Sequence, residues 1–222
     1  MKTTLRQCLL AEALGTALLM VFGTGAAVVD EQTHALGHGG VAAAFGLVVF
    51  VLIQSLGGSS GAHLNPAVTL GFWAAGRFPG RRVVPYVGAQ LLGAALGSAL
   101  VKLVATPGST LGATLPAHGA GQALGIEVFL TFGLMLVILR VTAGAKEAGL
   151  LAGLAISATV ALAALVAGPL TGASMNPARS LAPALLSGAW AGWWLYVLGP
   201  VAGAVLAVAV DRLLHGHETT AT

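Results

Sequence analysis

The chain has 222 residues, of which 57% are hydrophobic and 8% charged, and its formal net charge is +3. A mean hydropathy of +0.91 and a charged fraction far below the roughly one quarter usual for soluble domains exclude a water-soluble globular protein. The basic excess does not interleave with aromatics on a polar surface, so it argues against a nucleic-acid partner and leaves the lipid bilayer as the expected one.

Apolar stretches of roughly the 20 residues needed to cross a bilayer are predicted in chain order at about 7–29, 40–57, 83–104, 122–141, 149–167 and 193–214. The first holds Glu12 and is too long for a secretory signal, so it is expected to be retained. The second and fifth are short, and each runs on towards an Asn-Pro-Ala tripeptide, Asn65-Pro66-Ala67 and Asn176-Pro177-Ala178. The fourth holds Glu127. Six crossings return both termini to one side. Lys2, Arg6, Arg77, Arg81, Arg82, Arg140, Lys146 and Arg212 fall on that side of the predicted topology, which is therefore expected to be cytoplasmic; Lys102 and Arg179 fall elsewhere.

The Asn-Pro-Ala segments are too short to cross a membrane. Proline lacks an N–H and has a fixed φ, so it is best tolerated at the first position of a helix. Asn65 and Asn176 then become N-caps, each turning its side-chain oxygen onto the first turn and leaving its NH2 as a donor that faces a passing molecule. Each short helix also presents the positive end of its macrodipole, roughly half a charge, to the same point, which repels cations. The predicted arrangement is two half-helices meeting head to head at mid-membrane.

The chain repeats itself. Glu12 and Thr16 answer to Glu127 and Thr131, the two Asn-Pro-Ala copies lie 111 positions apart, and Tyr86 with Gly93 answers to Tyr196 with Gly203 at an offset of 110. One channel domain over 1–222 is expected, with repeat 1 at about 1–110, repeat 2 at about 120–214 and a short tail at 215–222. Three crossings per half force the halves into opposite orientations, so the two tripeptides enter from opposite faces, as in other inverted-repeat membrane proteins. Irregular backbone at that depth requires protein cover or a watery cavity, which implies a pore. The fold expected is all-α, with six transmembrane helices and two re-entrant half-helices. The pairs Gly93/Gly97 and Gly199/Gly203 are candidate close crossings between helices.

An acid at mid-bilayer costs about 2.5–3.5 kcal/mol or more, so Glu12 and Glu127 need partners. Two roles are open to them: acceptors for the N–H groups of one broken loop each, or a proton relay in a coupled transporter. Their matching positions favour the loop scaffold. His63, just before Asn65, is a candidate for the pore wall. His215 and His217 suit a solvated tail better than a metal site, and the single cysteine, Cys8, excludes an intramolecular disulfide framework. The sequence has no nucleophile-base pairing, phosphate-binding loop or metal-ligand cluster, and so suggests neither an enzyme nor a cofactor.

The segments Ser60-Gly61-Ala62-His63-Leu64-Asn65-Pro66-Ala67-Val68-Thr69 and Gly172-Ala173-Ser174-Met175-Asn176-Pro177-Ala178-Arg179-Ser180, with the Glu-xxx-Thr pairs, resemble the major intrinsic protein family of aquaporins and aquaglyceroporins over nearly the whole chain. The resemblance implies one pore per subunit, usually in a homotetramer, in the cell membrane. It also implies an outer filter made by the residue 20 before the first Asn-Pro-Ala asparagine, those 12 and 3 before the second, and the arginine that follows it: Phe45, Ala164, Ala173 and Arg179. Strict water channels of the family resemble one another in a histidine where this chain has Ala164. Two alanines opposite Phe45 and Arg179 imply a wider, partly apolar opening. The run 167–176 also resembles the plant Nod26-like branch and its bacterial relatives, whose members pass glycerol and neutral metalloid hydroxides such as arsenite or boric acid as well as water. A passive channel for uncharged solutes is the function this implies. A strict water channel, an ion-coupled transporter and a closed junction protein of the same fold remain as alternatives.

Overall fold

The computed structural model describes residues 3–143 and 150–214. Lys2, Lys146, His215, His217 and the tail 215–222, considered above, lie outside the described residues. Among those described, every regular element is helical. Six helices are long and apolar enough to cross a membrane. We label the spans and half-helices in chain order: α1 Leu5–Thr33, α2 Gly37–Ser60, the half-helix α3 Pro66–Ala74, α4 Val83–Lys102, α5 Ala120–Val141, α6 Leu150–Thr171, the half-helix α7 Pro177–Ser187 and α8 Leu195–Leu214.

Local chemistry accounts for the boundaries. A capping box opens α1, with the Thr4 side chain accepting from the Gln7 backbone and the Gln7 side chain accepting from the Thr4 N–H. Within α1 the residues Met20–Thr24 form a π turn. Gly61 ends α2 in the left-handed region, at φ 90°. Helices α2 and α6, at 24 and 22 residues, are longer than the sequence suggested. Helix α6 runs on past Pro169, which lies inside the helix. Proline cannot donate to the carbonyl four residues back. That carbonyl, Leu165, instead pairs with Nε2 of His38 at 2.6 Å, so the helix continues to Thr171.

Helices pack as the repeat requires: α1 against α4, α5 against α8, and α2 against α6 across the two halves. A Cβ on Gly93 or Gly97 would strike the backbone oxygens of Ala13 and Ala17, and one on Gly203 that of Val128. The two predicted small-residue pairs are therefore where backbones touch, once in each half.

Lys102 and Arg212 stand 110 positions apart, at the ends of α4 and α8. Lys102 donates to the carbonyl of Leu186 at 3.0 Å, in the last turn of α7, and Arg212 to that of Ala74 at 2.6 Å, the last residue of α3. Each half-helix thus has its negative end closed by a cation from the other half. Near Arg212, buried Asp211 pairs with Arg77 at 3.4 Å and Arg140 at 3.8 Å, and Arg77 also caps the carbonyl of Leu139 at 2.7 Å.

Candidate functional site

The two re-entrant loops are built alike. Ala62 and Leu64 in the first, and Ala173 and Met175 in the second, all have positive φ between 42° and 52°. Left-handed backbone is costly for residues with a Cβ, by roughly 1–2 kcal/mol each, so these loops need outside support. Glu12 supplies it to the first: Oε1 accepts from the Ser60 hydroxyl at 2.7 Å and the His63 N–H at 3.0 Å, and Oε2 from the Leu64 N–H at 2.7 Å. Glu127 does the same for the second, through the Thr171 hydroxyl at 2.8 Å and the Ser174 and Met175 N–H groups at 2.9 Å. Both carboxylates are fully buried. Glu12 has a fourth donor, Gln90 Nε2 at 2.8 Å, for which the second half has Pro200 at the matching position.

Asn65 and Asn176 are N-caps of α3 and α7. Each side-chain oxygen accepts from the residue two positions on, Ala67 at 2.8 Å and Ala178 at 3.0 Å. The NH2 groups do more than face the lumen. Asn65 donates to the carbonyl of Met175 at 2.7 Å, and Asn176 to that of Leu64 at 2.9 Å. The half-helix tips are therefore clasped to each other crosswise. An amide NH2 carries two hydrogens, so the clasp uses one and leaves one on each asparagine for the cavity that both side chains line.

That cavity has a volume of about 750 Å3 and runs past both loops. Phe45, Ala164, Ala173 and Arg179, expected from the resemblance to act together, all line it, as do Asn65, Asn176 and His63. Pro66, Ala67, Pro177 and Ala178 begin the half-helices and are buried behind the asparagines. The guanidinium of Arg179 lies over the Phe45 ring, 5.0 Å from its centroid, a cation–π contact in a desolvated setting. Its Nη1 donates to the carbonyl of Gly112 at 2.7 Å, and its buried Nε has no hydrogen-bond partner among the described residues. A permanently charged donor therefore faces the lumen beside an aromatic ring, and the methyl groups of Ala164 and Ala173 line the same cavity. This combination sets a cationic donor next to an apolar face.

Below the asparagines the walls turn apolar, with Val68, Leu134, Ile138 and Ile156 among them. His63 Nδ1 is 3.1 Å from the Thr69 hydroxyl, and its ring stacks on Phe72 at 4.7 Å and meets Phe78 edge-on at 4.8 Å.

Sequence reasoning passed over one part of this wall. Gly112 and Ala113, in the loop between α4 and α5, line the cavity beside Arg179. Thr114 anchors them: its hydroxyl donates to Ser180 Oγ at 2.7 Å, which in turn contacts Ser174 Oγ at 2.5 Å. The available signal was Thr114 and Ser180 as small polar residues in an apolar chain. Among the described residues no group of three or more histidine, cysteine, aspartate or glutamate side chains could hold a metal ion.

The family model for major intrinsic protein matches residues 1–210. The chain is 46% identical over 205 residues to "Aquaporin NIP1-4" of Oryza sativa subsp. japonica, covering 92% of this chain and 75% of that one. It is 47% identical over 206 residues to "Aquaporin NIP1-1" of Zea mays, covering 90% and 71%. Among solved structures it is similar to the aquaglyceroporin from Plasmodium falciparum, with a TM-score of 0.85 at 27% identity over 95% of this chain and 97% of that one.

Proposed function

The chain belongs to the major intrinsic protein family and is a multi-pass membrane channel for water and small neutral solutes, and on that premise we propose that its lumen is wide enough for glycerol and neutral metalloid hydroxides while turning back ions. The observation that carries this is the filter composition. Ala164 and Ala173 leave open the side of the cavity across from Phe45 and Arg179. A three-carbon polyol lays its C–H groups on the ring and its hydroxyls on the guanidinium, whereas a bare ion finds too few oxygens to replace its water.

Movement is passive and bidirectional. A solute leaves part of its hydration at the filter, takes hydrogen bonds from Arg179, and at the centre accepts from the remaining N–H of Asn65 and of Asn176. Arg179 and the two positive helix ends raise the barrier for hydronium and metal cations at that point. No covalent step is assigned to any residue, and the chain is read as a channel without enzyme activity. Glu12 and Glu127 act as loop scaffolds: four donors surround the first and three the second, and the backbone N–H groups among them belong to one re-entrant loop each.

We further assign repeat 1 to about 1–110 and repeat 2 to about 120–214, both termini to the cytoplasm of the cell membrane, and a homotetramer as the assembled form. The matched hydrogen bonds of the two loops support the repeat boundaries, and the cluster of Arg77, Arg140 and Arg212 at one end supports the orientation.

Stopped-flow light scattering of proteoliposomes, challenged in turn with sucrose, glycerol and urea, tests the function. The expected result is rapid shrinkage followed by fast re-swelling in glycerol. Re-swelling no faster than in empty vesicles would reduce the chain to a strict water channel, and dependence of uptake on a proton or sodium gradient would make it a transporter.

A further inference from the structure

The π turn of α1, Met20–Thr24, lies directly behind the filter. Gly23, in its middle, is buried and does not itself line the cavity. A Cβ built on Gly23 would stand 2.5 Å from Cε1 of Phe45, 2.7 Å from Cδ1 and 3.1 Å from Cζ. Nothing on the glycine fills that place, so the ring recedes into the helix. The next residue, Thr24, abuts Gly112, the residue whose carbonyl holds Arg179: a Cβ on Gly112 would be 3.1 Å from the Thr24 Cβ. One turn of α1 therefore backs both the aromatic and the cationic members of the filter.

The other half of the chain solves the same packing differently. By the offset that relates Glu12 to Glu127, Gly23 corresponds to Ile138. By the offset that relates the asparagines, Phe45 corresponds to Ile156. Both isoleucines line the same cavity. Two medium side chains share the space there, whereas at the filter one position is emptied and the other filled by a ring.

We propose that Gly23 is a specificity-determining residue of the channel, acting through Phe45: its missing side chain is the seat of the ring, and the depth of that seat sets the width available to solutes larger than water. This rests on the filter reading given above. A methyl group at 23 must drive the ring away by about 1 Å to restore a carbon–carbon separation of about 3.5 Å. On the far side the ring meets the Arg179 guanidinium or the lumen, so the displacement is taken from the opening.

The test is Gly23→Ala in proteoliposomes, with water and glycerol rates measured side by side. One added methyl in a fitted opening discriminates by about tenfold. Glycerol permeability is therefore expected to fall about tenfold with water reduced by less than about twofold. Gly23→Ala combined with Phe45→Leu should restore the glycerol rate to that of Phe45→Leu alone. An unchanged glycerol-to-water ratio in Gly23→Ala overturns the proposal, as does an equal loss of glycerol flux in both backgrounds. Should Gly23→Ala fail to insert or fold, the double variant decides: a folded, conducting double variant supports a clash with the ring, and a misfolded one overturns it. Phe45→Leu alone tests the underlying reading, because an unchanged ranking of water, glycerol and urea there removes Phe45 from the filter whatever Gly23→Ala does.

Discussion

Replacing Glu127 by glutamine changes one oxygen to NH2 and almost nothing in shape. The carboxylate accepts from the Thr171 hydroxyl, the Ser174 N–H and the Met175 N–H. If the new amide nitrogen faces Thr171 and Ser174, the hydroxyl can reverse but the Ser174 N–H loses its acceptor. If it faces Met175, that N–H is left opposite another donor. Either orientation strands one buried backbone donor at a cost of about 1–3 kcal/mol and turns the remaining charge-assisted bonds into neutral ones, each weaker by about 1 kcal/mol. The sum, about 3–5 kcal/mol, falls on a loop already held at positive φ and forming the lumen wall. Glu127→Gln should therefore lower the thermal unfolding midpoint in detergent and cut the water permeability of proteoliposomes several-fold, with uptake still indifferent to a proton gradient. Wild-type stability together with loss of a proton-driven component would refute the scaffold argument and restore the relay.

Other substitutions probe neighbouring parts. Ala164→His narrows the filter opposite Phe45 and should slow glycerol more than water in stopped-flow measurements; equal slowing would contradict the position given to Ala164. Thr114→Val removes the hydroxyl that ties the Gly112 loop to Ser180, a loss of about 1 kcal/mol. Its glycerol-to-water ratio should shift while Thr114→Ser keeps the original ratio. Lys102→Met and Arg212→Met each leave the end of a half-helix without its cation. Each should lower stability by about 0.3–1 kcal/mol, measured by thermal unfolding. Being at separate sites, the two losses should add in the double variant.

What could be read in the amino-acid order was whatever the two halves repeat. Asn65 and Asn176, Glu12 and Glu127, and Gly93 and Gly203 were legible because each has a counterpart of the same type in the other half, and physics assigns the same task to both copies. The double use of the asparagine amide was not legible, because a cap motif specifies the oxygen's partner and says nothing of the nitrogen's. Lys102 looked like an exception to the charge bias. The reason for it is geometric: an inverted repeat that closes α3 with Arg212 on one face must close α7 with a cation on the other. Gly112, Ala113 and Thr114 sit in a loop with no periodicity, and Gly23 is one of 32 glycines; contacts across 22 or more positions, not local pattern, give these residues their meaning.

The crosswise asparagine clasp bears on how the molecule is made. Its donors and acceptors pair Asn65 with Met175 and Asn176 with Leu64, so the centre of the conduit is a joint between a segment synthesised early and one synthesised 111 residues later. At the usual pace of translation that interval is roughly ten seconds. Throughout it the first re-entrant tip has no counterpart. The centre of the conduit is therefore completed only once chain from the second half arrives, with α8 still to follow it.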